Sequence, residues 1–329
     1  MKRIFIMLAA VCLLCACADG QSQQEANTGQ ADSYDPFQMP PLGMSDTIDA
    51  NYGFGLIAPP DAGRLRYSDP LTLHFWLDNG GEPIDYGVLI FVNGVLQEIS
   101  TDGGDLQTMA RIDIAKNERR EFSVAFSPHA AAGDSEFVLT YALMFHPGFA
   151  SESETCSFGN YYRLSCSSLL LTDSGTIPLT AQTKSAAKAE PIPETVAAMF
   201  YERDGDGNVI GNPLLTGAQL VAERQSPQET EDNALRPADS VRLTLLGGAS
   251  ARTWRISMYC DHEIVAAFDG AEYLDMTASS DTMSVYTVPM SVLGKRAQKY
   301  GSVYFVAMPL GADRSDDPFS SHAFVCVSE

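Results

Sequence analysis

The chain has 329 residues, with 21 lysines and arginines against 42 aspartates and glutamates, so its formal net charge is −21 at pH 7. An acidic chain without a cluster of basic residues is a poor candidate for binding nucleic acid, and it lacks the basic face that attaches peripheral proteins to anionic lipid. Its length exceeds what one hydrophobic core usually organises and favours two domains.

Residues 1–16 predict a secretory signal peptide. Lys2 and Arg3 precede a short apolar run that is too short to span a membrane. Residues 14–17, Leu-Cys-Ala-Cys, resemble the bacterial lipobox, in which the cysteine is acylated and becomes the mature N-terminus. The resemblance implies that Cys17 carries lipid, with palmitate as an acyl chain, in an exported lipoprotein anchored to a membrane of the bacterial cell envelope. The alternative is an ordinary cleaved secretion signal.

Residues 17–50 predict a disordered tether that begins at the lipidated cysteine. They are polar, rich in Gln, Asp, Gly and Pro, and show no sustained hydrophobic period. A flexible chain of this length spans roughly 30 Å on average, which is enough to lift a folded domain from a lipid surface.

Residues 51–173 predict a first β-sandwich domain. The sequence LTLHFWL at 71–77 alternates apolar and polar side chains, which predicts a half-buried strand with Trp76 on its polar face. Residues 87–99 are nearly all apolar and predict a central strand that turns at Asn93-Gly94. Further strands are predicted at residues 121–127, 136–145 and 163–171.

Residues 174–195 predict a linker, and residues 196–329 predict a second β-sandwich domain that repeats the first. The segment RPADSVRLTL at 236–245 aligns with RYSDPLTLHF at 66–75. SVYTVP in the second half matches SVAFSP in the first, and a glycine precedes the next apolar strand in both halves. Several matches in the same order indicate two tandem copies of one unit.

The order of strands resembles that of bacterial immunoglobulin-like and fibronectin-like modules, without pointing to a named subfamily. A polar turn interrupts a hydrophobic ladder, and a proline-to-glycine crossover precedes the penultimate strand. The resemblance implies an all-β fold class, with two tandem immunoglobulin-like β-sandwich domains after a flexible N-terminal tether. Such modules serve as spacers, adhesins or binding units, so the fold leaves the function open.

Four cysteines remain after the predicted signal and Cys17, two in each predicted domain. An exported location favours disulfide bonds, and four cysteines permit three pairings. Their distribution favours Cys156–Cys166 and Cys260–Cys326. A thiolate metal site is disfavoured because no CxxC pair remains outside the signal.

Two acidic turns are candidate calcium sites. Asp204, Asp206 and Asn208 alternate like the first ligands of a calcium loop, but the glycine and glutamate that complete an EF-hand are missing. A β-hairpin turn is therefore the favoured interpretation of this segment. The second turn is interpreted as a solvated loop, and its candidate ligands are Asp313, Asp316 and Asp317. We expect no other cofactor.

Exposed aromatic side chains are the candidate ligand contacts. Trp76, Tyr161 and Tyr162 could stack on a sugar ring or anchor a partner protein, unless the tether or the second domain covers them. Trp254 shares a strand face with apolar residues and is predicted to lie in the core. His262 begins the sequence HEIVA, which lacks the second histidine of a zinc-protease helix, and is predicted to be a structural surface residue.

These features predict a lipid-anchored extracytoplasmic surface protein that is not an enzyme and acts in binding, in adhesion or as a spacer. One alternative is a carbohydrate-binding lipoprotein that uses the exposed aromatics. Another is a hydrolase whose site is assembled from scattered residues, since catalytic triads need not be sequential. The expected partners are a membrane, contacted through the N-terminal lipid, and a polysaccharide or a surface protein.

The lipid assignment predicts that Cys17→Ser abolishes acylation. Without the thiol there is no atom to carry the acyl chain, so labelling with a radioactive or clickable fatty acid should disappear. The protein should then remain unprocessed or become soluble. Persistent labelling of the variant would show that the lipobox interpretation is wrong.

Overall fold

The structure is a computed structural model, and it describes residues 52–156, 158, 161–173, 175–186, 189–227, 234–294, 299–311 and 318–327. The predicted signal peptide, Cys17 and the tether lie outside the described residues, and so do Asp313, Asp316 and Asp317. Within the described ranges, no helix has the length and hydrophobicity needed to cross a membrane.

The strands of the first half, in chain order, are β1 (Tyr52–Leu56), β2 (Arg64–Arg66), β3 (Leu71–Asn79), β4 (Ile84–Val92), β5 (Val95–Leu96), β6 (Ile99–Thr101) and β7 (Leu106–Gln107). They continue with β8 (Ala110–Ile114), β9 (Glu118–Phe126), β10 (Ala130–Ala131), β11 (Phe137–Phe145), β12 (Leu164–Thr172) and β13 (Leu179–Ala181).

The strands that follow are β14 (Thr183–Ser185), β15 (Glu190–Pro191), β16 (Glu202–Arg203), β17 (Val209–Gly211), β18 (Ala218–Gln225), β19 (Ser240–Gly247) and β20 (Arg252–Cys260). The last are β21 (Glu263–Val265), β22 (Tyr273–Ala278), β23 (Thr282–Pro289), β24 (Tyr300–Pro309), β25 (Phe319–Ser320) and β26 (Phe324–Val327). The helical segments are α1 (Glu194–Ala197) and the 3-10 turns Asp61–Gly63, Pro213–Leu215 and Met290–Leu293.

Two sheets pack face to face to form the first sandwich. One has the strand order β1-β3-β9-β6-β7, and the other has the order β2-β12-β11-β4-β5 with β8 paired to β4. Strand β3 alternates as its sequence predicts, because Leu71, Leu73, Phe75 and Leu77 are buried in the core between the sheets. The intervening Thr72, His74 and Trp76 therefore face outward.

The predicted Asn93-Gly94 turn is confirmed, and the Asn93 side chain also bonds the turn to a neighbouring strand. Asn93 and Gly94 have φ angles of 47° and 73°, the left-handed values that a tight two-residue hairpin requires. The Asn93 side chain accepts a hydrogen bond from the Val138 amide at 2.7 Å and donates one to the Glu136 carbonyl at 2.6 Å. The turn between β4 and β5 is thus bonded to the start of β11.

The second half repeats this topology, which confirms the tandem β-sandwich architecture. The pairing β18-β19-β23 corresponds to β1-β3-β9, and the series β22-β20-β24-β26 corresponds to β8-β4-β11-β12. Each half has its own apolar core. The core of the second sandwich contains Trp254, which is 1% exposed as predicted.

The predicted linker, residues 174–195, contains short strands that pair with strands of both halves. It contains β13, which pairs in parallel with β10 of the first sandwich, and β14, which pairs in parallel with β22 of the second. Strand β15 then pairs antiparallel with β23. Extended backbone bonds readily to open sheet edges, so this connection forms a separate two-stranded ladder with β10 and joins both sheets of the second sandwich.

A third apolar cluster joins the two sandwiches. It is formed by the outward faces of β4 and β11 in the first sandwich and of β20 and β24 in the second, and this contact explains why all nine residues of β11 are buried. The first sandwich contributes Leu89, Phe91, Leu96, Met109, Ala142, Met144, Phe158 and Tyr162. The second sandwich contributes Ala234, Tyr259, Tyr304, Val306, Met308 and Val325.

A buried guanidinium lies beside this cluster. Arg255 of β20 has a side chain that is 2% exposed, and it donates hydrogen bonds at 2.9 Å to both the Asn93 carbonyl and Asp134 of the first sandwich. Within its own sandwich it bonds Asp275 at 2.8 Å. Burial alone would lower the pKa of Arg255, but its bonds to the two carboxylates raise that pKa above its usual value. Arg255 therefore stays charged and bridges the sandwiches.

Asp134→Ala should lower the free energy of unfolding by about 3 kcal/mol, because it leaves a buried guanidinium with part of its charge uncompensated. Asp78→Ala is the matched control, since it removes an ion pair with Arg119 whose side chains are 41% and 53% exposed. The control should cost less than about 1 kcal/mol. Chemical denaturation measures both values, and equal losses would contradict a bridging role for Arg255.

Candidate functional site

An open groove of about 890 Å³ lies at one end of the first sandwich. The start of β4, the edge strand β8, the turn after β8 and the loop after β11 form its walls. It is lined by Pro83, Ile84, Asp85, Arg111, Asp113, Ile114, Ala115, Glu118, His146 and Gly148.

The alternation of β8 sets the chemistry of one wall. Its sequence ARIDI buries Ala110, Ile112 and Ile114 in the core and turns Arg111 and Asp113 outward. The register between β8 and β4 puts Asp113 directly opposite Asp85. Two like charges facing each other across a strand pair are unfavourable, so each needs another partner or water.

Asp85 finds its partners in the loop that follows β11. One carboxylate oxygen lies 3.1 Å from Nδ1 of His146, and the other accepts a hydrogen bond of 2.6 Å from the Gly148 amide. His146 has a φ of 50°, so the chain turns sharply where β11 ends. The hydroxyl of Tyr162 donates to the Phe149 carbonyl at the far end of the loop. We call residues 146–149 the groove loop.

The second sandwich also holds the groove loop. Nε2 of His262 lies 2.7 Å from the Pro147 carbonyl, and Nδ1 lies 3.0 Å from the hydroxyl of Tyr304. A carbonyl only accepts, so Nε2 carries the proton of the neutral ring and the Tyr304 hydroxyl donates to Nδ1. His262 is 8% exposed, so the expectation of a surface histidine is wrong. The β20–β21 turn packs against the first sandwich, which sequence alone does not reveal.

Burial changes the acidity of these groups. It lowers the pKa of His262 below the usual histidine value, because the protonated ring loses solvation, and nearby Arg111 lowers it further. The bond to Pro147 and the charges of Asp261 and Asp85 act in the opposite direction. Burial likewise raises the pKa of Tyr162 to about 12. His262 is therefore neutral at pH 7.

The two candidate tyrosines have different environments. Tyr161 is half-buried and packs on Phe149 and His146, with ring centroids 4.2 and 4.9 Å away, so it supports the groove loop. Tyr162 is only 3% exposed and packs edge-on against His262, so the expectation of an exposed ring is wrong for this residue. The loop after β11 places the Tyr162 ring in the apolar cluster between the sandwiches.

Trp76 lies on the outward face of β3, as predicted, but other residues cover part of its ring. A Cβ on Gly53 would lie 2.6 Å from the indole, so the absence of a side chain there lets the ring lie against β1. The Arg119 guanidinium is over the ring, 5.0 Å from its centroid, and is bonded to Asp78 at 3.2 Å. These contacts reduce the ring area open to a ligand, and Trp76 as a ligand contact stays a prediction.

Histidine pairs that could belong to a catalytic site lie on opposite faces of the first sandwich. Nδ1 of His74 lies 3.0 Å from Oγ of Ser123 on the outward face of the β3–β9 sheet. The Asp85–His146 pair lies on the outward side of the other sheet, with the core between them. Among the described residues that line the groove there is no serine, threonine or cysteine.

The predicted hairpin around residues 204–208 is confirmed, since β16 and β17 pair antiparallel. The Asp204 carboxylate accepts hydrogen bonds from the Asp206 and Asn208 amides at 3.0 and 2.8 Å, and its bonds with Asn208 lower its pKa. Nowhere in the described part of the chain do three His, Cys, Asp or Glu side chains converge as metal ligands would. Calcium binding at this turn stays a prediction.

The structure places the sulfurs of the predicted pair Cys260 and Cys326 close together. The sulfurs of Cys260 and Cys326 lie 3.7 Å apart, and both residues are 2% exposed. Their strands, β20 and β26, flank β24 on opposite sides, and two strand spacings are about 9.5 Å. A disulfide tolerates Cα separations up to about 7 Å, so this bond would require backbone movement. Cys156 and Cys166 both pack at the margin of the contact between the sandwiches.

The groove itself was not among the sequence-based candidates. Asp85 and Asp113 are 28 positions apart and meet only through the strand register, and His146 joins them through a turn with positive φ. The outward alternation of Arg111 and Asp113 in ARIDI is the one local signal that could have marked a wall of the groove.

Asp85→Ala should release the groove loop, because the loop then loses both carboxylate contacts. We expect hydrogen exchange at the Gly148 amide to accelerate about tenfold, as the loss of about 1.4 kcal/mol implies. Asp113→Ala is the matched control: it removes the facing carboxylate, which accepts no hydrogen bond from the described residues. Equal acceleration in the two variants would show that Asp85 does not hold the loop.

No family model and no curated protein sequence matches the chain. Among solved structures it is similar to the Salmonella enterica SafA pilin in complex with the SafB chaperone, at 14% identity over 84% of this chain and 96% of that one, with a TM-score of 0.23. It is also similar to the E. coli chaperone DraB, at 12% identity over 84% and 98% of the two chains (TM-score 0.22). A third is the fibronectin(III)-like modules of Clostridium thermocellum CbhA, at 7% identity over 84% and 94% (TM-score 0.20).

Proposed function

We propose that this protein is a non-catalytic binding protein, anchored by lipid on Cys17 at the bacterial cell envelope, whose groove in the first sandwich holds the ligand. The observation that carries the proposal is the double attachment of the groove loop. Asp85 fixes it from the first sandwich and His262 fixes it from the second. A wall held from both sides is preorganised, so little conformational entropy is lost when a ligand binds.

The groove lining supports a polar ligand. It offers carboxylates, the guanidinium of Arg111 and the imidazole of His146 as hydrogen-bonding groups, with the half-buried Ile84 as apolar surface. A polysaccharide or the polar surface of another protein presents groups of these kinds. Arg111 and Asp113 are exposed and point outward, so they are the side chains that a ligand would meet first.

Carbohydrate recognition on the Trp76 face is the alternative within binding. It is supported by the outward position of Trp76 and by the polar side chains beside it, including His74 and Ser123. It is weakened because Arg119 and the backbone at Gly53 cover part of the Trp76 ring. Tyr162 is too buried to contact a ligand there. The hydrolase alternative has less support, because its candidate groups lie on opposite faces of the sandwich.

The proposal predicts saturable binding of the full-length, detergent-solubilised protein to at least one member of a panel of insoluble polysaccharides and cell-wall preparations. Replacing Arg111 and Asp113 together by alanine should weaken that binding at least tenfold, because hydrogen bonds to charged groups contribute about 1.5–3 kcal/mol each. Co-sedimentation at graded concentrations measures the affinity.

The matched control is the pair Arg64→Ala and Asp105→Ala, which removes the same two charges from exposed sites outside the groove lining. It should bind like the unaltered protein. A loss caused by Trp76→Ala alone would move recognition to the Trp76 face. An unchanged affinity of the groove variant would contradict the proposal, and no saturable binding anywhere in the panel would exclude these polysaccharides and leave a protein surface as the ligand.

A further inference from the structure

His262 is the buried titratable group through which the second sandwich holds the groove loop. It has two hydrogen bonds, one to the Pro147 carbonyl of the first sandwich and one to Tyr304 of its own. Its ring also packs edge-on against Tyr162, at 4.6 Å between centroids. One imidazole therefore joins the groove loop, the loop after it and β24.

Protonation of this ring disturbs the contact on the Tyr304 side. In the neutral ring the Tyr304 hydroxyl donates to Nδ1. Once Nδ1 carries a proton, that nitrogen becomes a donor, and the hydroxyl must accept from it and turn its own hydrogen elsewhere. Tyr304 is fully buried, so this rearrangement takes place where water does not reach.

The charge itself is also unfavourable at this position. The groups that act on His262 from the surrounding elements are Arg111 of β8, Asp85 of β4 and Asp261 beside it in the chain, together with the neutral tyrosines Tyr162 and Tyr304. The bond to the Pro147 carbonyl and the two aspartates favour the protonated ring, whereas burial and Arg111 oppose it, and the opposing effects are larger. An exposed histidine has no such penalty, so an opened contact binds the proton more strongly.

We propose that His262 is a proton-sensitive latch that holds the groove loop between the sandwiches at neutral pH and releases it under acidic conditions. This inference extends the proposed function, because it makes ligand binding in the groove depend on pH. Asp85 remains as the attachment from the first sandwich, so acidification frees one side of the loop. The ligand affinity should fall together with the order of the loop.

The sign of the pH dependence follows from proton linkage. The docked form has a histidine pKa below the ordinary value of about 6.5, so the open form binds more protons between those two pH values. The contribution of the latch is complete above about pH 6.5 and is lost as the pH falls toward the lowered pKa. Since one proton is taken up, opening increases by at most tenfold per pH unit.

The test is hydrogen exchange of the full chain between pH 7.5 and pH 5, corrected for the intrinsic pH dependence of amide exchange. In the unaltered protein, protection of the groove loop and of β21 should fall below pH 6.5. In His262→Gln it should stay constant, because a glutamine amide can donate to Pro147 and accept from Tyr304 without titrating. His74→Gln, which changes an exposed histidine, is the matched control and should behave like the unaltered protein.

The latch would be overturned if protection of the groove loop does not fall in the unaltered protein. It would also be overturned if protection falls in His262→Gln as well. If the glutamine variant does not fold, NMR of the histidine ring in the unaltered protein decides instead. A proton on Nε2 and a titration midpoint below the ordinary histidine value of about 6.5 support the latch, and a proton on Nδ1 or a midpoint at or above that value refutes it.

Ligand affinity separates the latch from the proposed function. With a panel polysaccharide as the probe, binding should weaken from pH 7.5 to pH 5.5 in the unaltered protein and not in His262→Gln. If the loop loses protection on acidification while affinity is unchanged, the latch stands and the groove is not the binding site.

Discussion

The contact between the two sandwiches depends on one buried guanidinium. The Arg255 side chain extends from β20 and bonds the Asn93 carbonyl and Asp134 of the first sandwich. It also bonds Asp275 within the second sandwich. Burying a charge is costly unless its partners are positioned for it, so the two sandwiches are specified to meet in this arrangement. The Asn93-Gly94 turn fits the contact closely, because a Cβ on Gly94 would lie 3.0 Å from the Arg255 side chain.

The apolar cluster beside Arg255 has a functional consequence. It covers the outward faces of β4 and β11, and the groove loop begins directly where β11 ends. Asp85 then bonds the loop from one side, and His262 bonds it from the other. The second sandwich therefore helps to hold one wall of the groove.

Much of the fold could be predicted from the sequence, because it depends on local patterns. Strand alternation in β3, the Asn93-Gly94 hairpin, the repeat and the buried Trp254 all follow from spacing and residue type. The groove and the contact between the sandwiches could not be predicted, because they depend on the register of β4 with β8 and on how the sandwiches dock. The nearly continuous apolar run of β4 predicts a central strand, but it does not show that Leu89 and Phe91 pack in the cluster between the sandwiches.

The two sandwiches should unfold as one cooperative body, and scanning calorimetry of the full-length protein at pH 7.5 measures whether they do. If the Arg255 contact and the shared cluster couple them, the protein unfolds in a single transition whose calorimetric and van't Hoff enthalpies agree. Two resolved transitions, each with the enthalpy of one sandwich, would show that the sandwiches unfold independently and that the Arg255 contact does not couple them.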